Sequence, residues 1–150
     1  MIIYLASDHA GYSLKEAVKK FLEEKNFRCV DVGPHSYDGN DDYPDFIIPA
    51  AEKASGHPDN RAVIFGGSGQ GEAIAANKVK GVRAAVFYGG PEEIISLSRT
   101  HNDANVLSIG ARFVSEESAI KAVELWLRTP FPGEERHGRR IGKIKEFEDR

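Results

Sequence analysis

The chain is poor in features that mark several functional classes. It has one cysteine, Cys29, among its 150 residues, so no disulfide can form within it. A reducing cytoplasm is the expected setting for such a composition. Cys29 sits in the short run Phe27-Arg28-Cys29-Val30 and reads as a buried small hydrophobe in a strand. No apolar run approaches the roughly 20 residues of a spanning helix, so no membrane role is expected. The opening MIIYLASDHAG lacks the basic region and long apolar stretch of a secretory leader. Positive charge is in deficit: 20 Lys and Arg face 23 Asp and Glu, a formal net charge of −3. That argues against nucleic-acid binding, which rests on an excess of Lys and Arg. No Cys/His set has zinc spacing. Asp38, Asn40, Asp41 and Asp42 raise the question of calcium, but an EF-hand needs Gly where Tyr43 stands and Glu where Pro49 stands. No metal is expected.

What is present is a globular composition, 41% apolar and 29% charged, long enough for one domain with a full core. Short apolar runs alternate with helical patterns. Ile2–Ala6 is the first strand. Ser13-Leu14-Lys15-Glu16 has the form of a capping box. Leu14, Ala17, Val18, Phe21 and Leu22 then share one helical face. Strands are expected at 27–32, 61–65, 82–88 and 105–109. Helices are expected at 45–54, with Pro49 causing a kink or late start, at 72–78, after Gly90-Pro91-Glu92-Glu93, and after Ser115. Residues 33–44 read as a loop. The charged tail from Gly133 to Arg150 should end in a short helix. Strands separated by helical crossovers predict a five-stranded parallel sheet covered on both faces, with residues 131–150 as an arm that packs on a partner subunit.

Ligands in such folds sit beyond the carboxyl ends of the strands, where strand order reverses. Polar clusters fall at those ends: Asp8-His9 after the first strand, Gly66-Gly67-Ser68-Gly69-Gln70-Gly71 after the third, and Arg112 after the fifth. Four glycines leave the loop backbone bare, and bare N–H groups at a helix start suit an anion. A tight strand-to-helix turn is the plainer reading. A Walker loop is excluded because Glu72 follows Gly71. The dinucleotide fingerprint fails because Glu72 and Ile74 stand where its last small residue belongs, and a hydrolase elbow fails because residue 70 is Gln. Glu72 itself is either a favourable charge at a helix N-terminus or a general base. His101-Asn102 lies in a polar turn and is either structural or functional. Arg136 and Arg140, four residues apart, would share a helical face and could clamp a phosphate; the alternative is a solvated charged arm.

Six segments in order carry a resemblance: SDHAG at 7–11, DYPD at 42–45, GGSGQGEAIAANK at 66–78, GVRAA at 81–85, RTHNDANVLSIGAR at 99–112 and RHGRR at 136–140. Together they resemble the ribose-5-phosphate isomerase B family, which includes the galactose-6-phosphate isomerase subunits. The resemblance implies a Rossmann-like α/β/α sandwich, a homodimer or dimer of dimers, and active sites shared between subunits. It implies aldose–ketose isomerisation of a sugar phosphate through an enediol, without metal or cofactor. By position, Asp8 and His9 would contact sugar and phosphate. Gly67, Ser68, Gly69, Gln70 and Gly71 would form the hole for the enediolate oxygen. His101 would act in ring opening and Asn102 would bind substrate oxygens. Arg112, Arg136 and Arg140 would hold the phosphate, some from the partner chain. Many members place a catalytic Cys where Gly66 stands. The chain resembles instead the branch in which a Glu after the loop takes the proton, here Glu72. The Gly89-Gly90-Pro91 turn departs from the pattern and would alter the pocket wall. Readings kept beside this one are a six-carbon substrate (galactose or allose 6-phosphate), a non-catalytic flavodoxin-like phosphate or nucleotide binder, and an inactive paralogue.

Overall fold

The computed structural model describes all residues, Met1–Arg150. Five strands form one parallel sheet: β1 (Ile3–Ser7), β2 (Cys29–Gly33), β3 (Arg61–Gly66), β4 (Ala84–Phe87) and β5 (Val106–Gly110). The helices are α1 (Tyr12–Glu24), α2 (Pro44–Ser55), α3 (Gln70–Ala76), α4 (Glu93–Thr100), α5 (Glu116–Arg128) and α6 (Glu135–Glu148). The strand order is β2-β1-β3-β5-β4. This is the expected Rossmann-like three-layer α/β/α sandwich with a C-terminal helical arm.

Side-chain alternation along the strands builds a core on each face. Ile3, Leu5, Val63, Phe65, Leu107 and Ile109 pack with α1, α4 and α5 residues such as Val18, Ile95 and Trp126. Ala6, Ala62, Ile64 and Val106 pack with α2 and α3 through Ile47, Ala50, Ala54 and Ala76. The chain moves from β1 outward to β2 through α1, then back across to β3 through α2 on the opposite face. Strand order therefore reverses between β1 and β3, and a crevice opens above their carboxyl ends.

Several local expectations are corrected. Ser13 does not cap α1. The helix begins at Tyr12 after Gly11, without a side-chain cap. Asp8 instead accepts a hydrogen bond from the Gly11 N–H (3.1 Å), and Glu16 pairs with Lys15 and Lys19. Pro49 lies inside α2, which runs on to Ser55 from Pro44 in its first turn. β4 is shorter than its apolar run. Asn105 Oδ1 accepts from the Arg83 N–H and its amide donates to the Gly81 carbonyl, so the ladder starts only at Ala84. The Asn77 side-chain amide then pairs with the Ala84 N–H and carbonyl. The tail forms a helix of 14 residues, not a short one. Ser115 does cap α5, accepting from the Ser118 N–H at 3.1 Å. Cys29 is half-buried rather than buried, and burial pushes its thiol up to about 11.

Candidate active site

The expected site residues fall into two groups at opposite ends of the sheet. The first lies above the carboxyl ends of β1, β3 and β5. β3 ends at Gly66 and the loop is tied to the end of β5: Ala111 N–H donates to the Gly66 carbonyl (2.8 Å) and Arg112 N–H to the Gly67 carbonyl (3.1 Å). Ser108, fully buried on β5, donates its hydroxyl to the Gly69 carbonyl at 2.6 Å. Gly69 has φ +76°, and a Cβ there would lie 3.0 Å from the Gly110 nitrogen. A side chain at that position would be both strained and crowded. Gln70 N–H donates to Ser68 Oγ (3.3 Å), which turns the chain into α3. The first N–H groups of α3 lack intrahelical acceptors, as at any helix start.

Glu72 lies beneath this loop, only 4% exposed. A Cβ built on Gly66 would run into its carboxylate. This explains the glycine at residue 66 physically: a buried glutamate after the loop and a side chain at its first position compete for one space. Burial raises the Glu72 pKa; a hydrogen bond from its own N–H opposes the rise, and Asp8 nearby adds to it. Asp8 is buried at the end of β1 and His9 is partly exposed beside it. The Arg112 guanidinium packs over Gly67, and the Tyr43 ring lies over Gly71. Arg112 also acts electrostatically on His9.

The second group lies where α4 returns to the start of β5. Arg83 fixes this turn, with its guanidinium on the carbonyls of Asn102 (2.9 Å) and Asp103 (2.8 Å) and on the Asp103 carboxylate (3.1 Å). His101 stacks on the buried His137 of α6, ring centroids 4.1 Å apart and 16° from parallel. Burial holds the His137 pKa down, helped by His101 and Arg136. Arg136 and Arg140 are exposed on the same helix. β5, five residues long, separates the groups; at ~3.3 Å per residue it spans about 16 Å. Asp8, His9, Glu72, Ser68, the loop glycines, Gln70 and Arg112 are thus brought together. His101, Asn102, Arg136 and Arg140 form a separate cluster on the same chain.

Three contributors were not singled out from the sequence. Ser108 and Tyr43 were seen only inside motifs, and Asp41 only as a rejected calcium ligand. Asp41 reaches His9 from 32 positions away, with Oδ1 2.7 Å from Nδ1. No local pattern announces such a contact.

A parallel α/β fold with a bare-backbone loop, a buried carboxylate beneath it and cationic groups above describes a protein built for a small anionic ligand. The chain belongs to the Ribose/Galactose Isomerase family, whose model matches residues 3–144. It is 42% identical over 148 residues to ribose-5-phosphate isomerase B of Mycolicibacterium paratuberculosis, covering 99% of this chain and 92% of that one. The crystal structure of ribose-5-phosphate isomerase B from Mycoplasma genitalium with bound ribulose-5-phosphate superposes with a TM-score of 0.93 at 43% identity, covering 99% and 96% of the two chains. The Clostridium thermocellum ribose-5-phosphate isomerase B structure gives 0.90 at 41% identity, covering 99% and 98%.

Proposed function

We propose that this chain is an aldose–ketose isomerase that interconverts ribose 5-phosphate and ribulose 5-phosphate, with Glu72 as the base. The observation that carries the base assignment is the buried Glu72 carboxylate beneath the glycine loop, in the space that a residue-66 side chain would fill. Full-length similarity to ribose-5-phosphate isomerases B supports the substrate. In the open-chain aldose, Glu72 takes the C2 proton. The electron pair forms the C1–C2 double bond, and negative charge moves to the carbonyl oxygen at C1. Backbone N–H groups of residues 67–71, with the Ser68 hydroxyl, receive that oxygen. One such donor is worth about 3 kcal/mol to a developing oxyanion. A proton passes from the C2 hydroxyl to the C1 oxygen, with the Ser68 hydroxyl as carrier, which leaves the charge on the C2 oxygen. Glu72 then returns its proton to C1, the C2 oxygen becomes the carbonyl, and the ketose results. A carboxyl group whose pKa is raised toward neutrality is a better match for both transfers. Asp8, Gln70 and Asn102 hold the sugar hydroxyls. His9, Arg112, Arg136 and Arg140 hold the phosphate, which orients carbons that lie far from it. His101 moves the proton that opens the furanose ring.

The two clusters cannot meet on one substrate within one chain, which supports a homodimer with sites shared between subunits. His101, Asn102, Arg136 and Arg140 would then come from the partner. α6 suits such an arm. Ile141 and Ile144 line a groove with Val82, Arg83, Ala84 and Asn102, while Phe147 stays exposed. The single-domain chain would work in the cytoplasm. No helix is long and apolar enough to cross a membrane.

The test is conversion of ribose 5-phosphate to ribulose 5-phosphate by purified protein in EDTA, with Glu72→Gln alongside. Wild-type turnover should fall by about 10²- to 10⁴-fold in the variant, the range for a removed general base. Near-normal turnover in Glu72→Gln would refute the base. Activity only on six-carbon phosphates would refute the substrate.

A further inference from the structure

We infer that Asp41 is a positioning residue that fixes His9 in one tautomer and holds it cationic toward the substrate phosphate. The inference rests on the reading above, in which His9 is a phosphate ligand.

Asp41 stands at the end of the loop between β2 and α2, and that loop is anchored at several points. The Lys15 ammonium, fully buried, donates to the Pro34 carbonyl at 2.7 Å. The Asp41 N–H donates to the Asp38 carbonyl (3.2 Å), and Asp38 Oδ1 accepts from the Asn40 N–H (3.0 Å). The loop thus delivers one carboxylate to the end of β1. Asp41 Oδ1 accepts from the His9 backbone N–H (3.0 Å) and lies 2.7 Å from His9 Nδ1. A carboxylate offers no proton, so the proton in this contact sits on Nδ1. The neutral ring is then the Nδ1–H tautomer, and Nε2 becomes the atom that gains a proton on charging. Nε2 makes no hydrogen bond within the chain and is not sealed from solvent. It is the nitrogen left to meet a ligand.

Asp41 also has little else to do with its charge. Its side chain is 6% exposed, and Oδ2 is buried without a hydrogen-bond partner. No Lys or Arg pairs with it, so its field acts on His9. Tyr37 meets the His9 ring edge-on, centroids 6.3 Å apart, and limits the ring's swing. The charged groups facing His9 are Asp41 from the loop, Asp8 from the end of β1 and Arg112 from the turn after β5. The hydrogen bond to Asp41 is the largest influence and raises the His9 pKa. Burial opposes it, Asp8 reinforces it and Arg112 lowers it. Two negative neighbours against one positive neighbour favour the imidazolium more than a free ring would allow. Arg112 has no acidic partner within the chain, and a phosphate bound there would supply one.

A loop anchor and a charge-setting partner predict different results. The experiment titrates the five histidine rings of the full chain by NMR, in wild type and Asp41→Asn, with His9→Gln used to assign His9. Kinetics on ribose 5-phosphate are measured from pH 5.5 to 8. Asp41→Asn keeps an oxygen acceptor and removes the charge. In wild type, His9 should titrate above its ordinary value of ~6.5 and show the Nδ1–H tautomer. In Asp41→Asn its pKa should fall by about one pH unit, the low end for loss of an adjacent opposite charge. The ratio of variant to wild-type KM should then approach about tenfold at pH 8, where the variant ring is neutral first, and should approach one at pH 5.5, where both rings are charged. Taking the ratio cancels the titration of the substrate's own phosphate. kcat should change far less than KM.

An unchanged His9 pKa, or a KM ratio that is the same at every pH, overturns the inference. If Asp41→Asn does not fold, wild type decides: a His9 pKa at or below the ordinary value overturns it, and a raised pKa with the Nδ1–H tautomer supports it. A wild type that titrates as expected but does not turn over ribose 5-phosphate overturns the proposed substrate and leaves the Asp41–His9 pairing standing.

Discussion

Glu72 is the residue at which stability and the proposed chemistry oppose each other. Its carboxylate is buried, and its pKa is raised above the ordinary carboxylate value by burial. The sign of the linkage follows. A carboxyl group whose folded pKa exceeds its unfolded pKa binds its proton more tightly in the folded state. Its charge therefore costs stability above the folded pKa, and that cost vanishes below the unfolded value near 4.3. Glu72→Gln, inactive by the argument above, should melt at a higher temperature than wild type at pH 7.5, with the gap closing at pH 4. Melting curves at the two pH values check this, and a variant less stable at pH 7.5 would contradict it. Gly66→Cys makes the complementary test. Its Cβ would meet the Glu72 carboxylate, so one or the other must move. We expect a loss of about 1–3 kcal/mol in stability, typical of overpacking, together with loss of turnover. Chemical denaturation and the isomerase assay measure the two effects.

At the scale of elements, the sheet ends are held by polar clamps. α1 is joined to β2 by Lys15, whose ammonium is fully buried and lies 2.7 Å from Asp31 Oδ1. Lys19 reaches the other Asp31 oxygen at 3.0 Å. Burial pushes the Asp31 pKa up, but the hydrogen bonds from Lys15 and Lys19 more than offset this and hold it below the usual value. That contribution is present above the unfolded value and is lost as pH falls through the lower folded one. Asp31→Ala leaves the Lys15 charge buried with less to pair it. It should cost about 3–5 kcal/mol, the range for breaking a buried pair, with the loop from Pro34 to Asp41 loosening first. Equilibrium unfolding and amide exchange across residues 34–42 check both parts. A cost below about 1 kcal/mol, the surface-pair range, would show that the pair is effectively solvent-screened.

The whole molecule poses a different question, because its two polar clusters point to opposite ends of one sheet. Sites shared between subunits make a specific numerical prediction. Glu72→Gln and His101→Ala chains should each be inactive alone. When they are mixed after unfolding and refolded together, each heterodimer carries one site with both defects and one site with neither. Random pairing into two-fold dimers then restores about a quarter of wild-type activity. Sites contained in one chain would restore none. Truncation after Arg128 would remove α6 and with it the buried His137 that stacks on His101.

Much of this architecture was legible in the residues. The alternation of short apolar runs with helical faces determined a parallel sheet, because each pattern can bury its apolar side in only one way. Strand ends carrying Asp8-His9, the glycine loop and Arg112 marked one end of the sheet as the candidate ligand end, because polar groups there cannot join the core. Six ordered motifs determined the family. Local capping was less legible: Ser13 matched a box that Asp8 made unnecessary by turning the chain at Gly11. Tertiary structure alone decided three things. It put Glu72 in the space beside Gly66, it brought Asp41 to His9, and it set His101 and Arg136 at the far end of β5. Each depends on where separate elements come to rest against one sheet, and spacing along a chain does not encode distance across it.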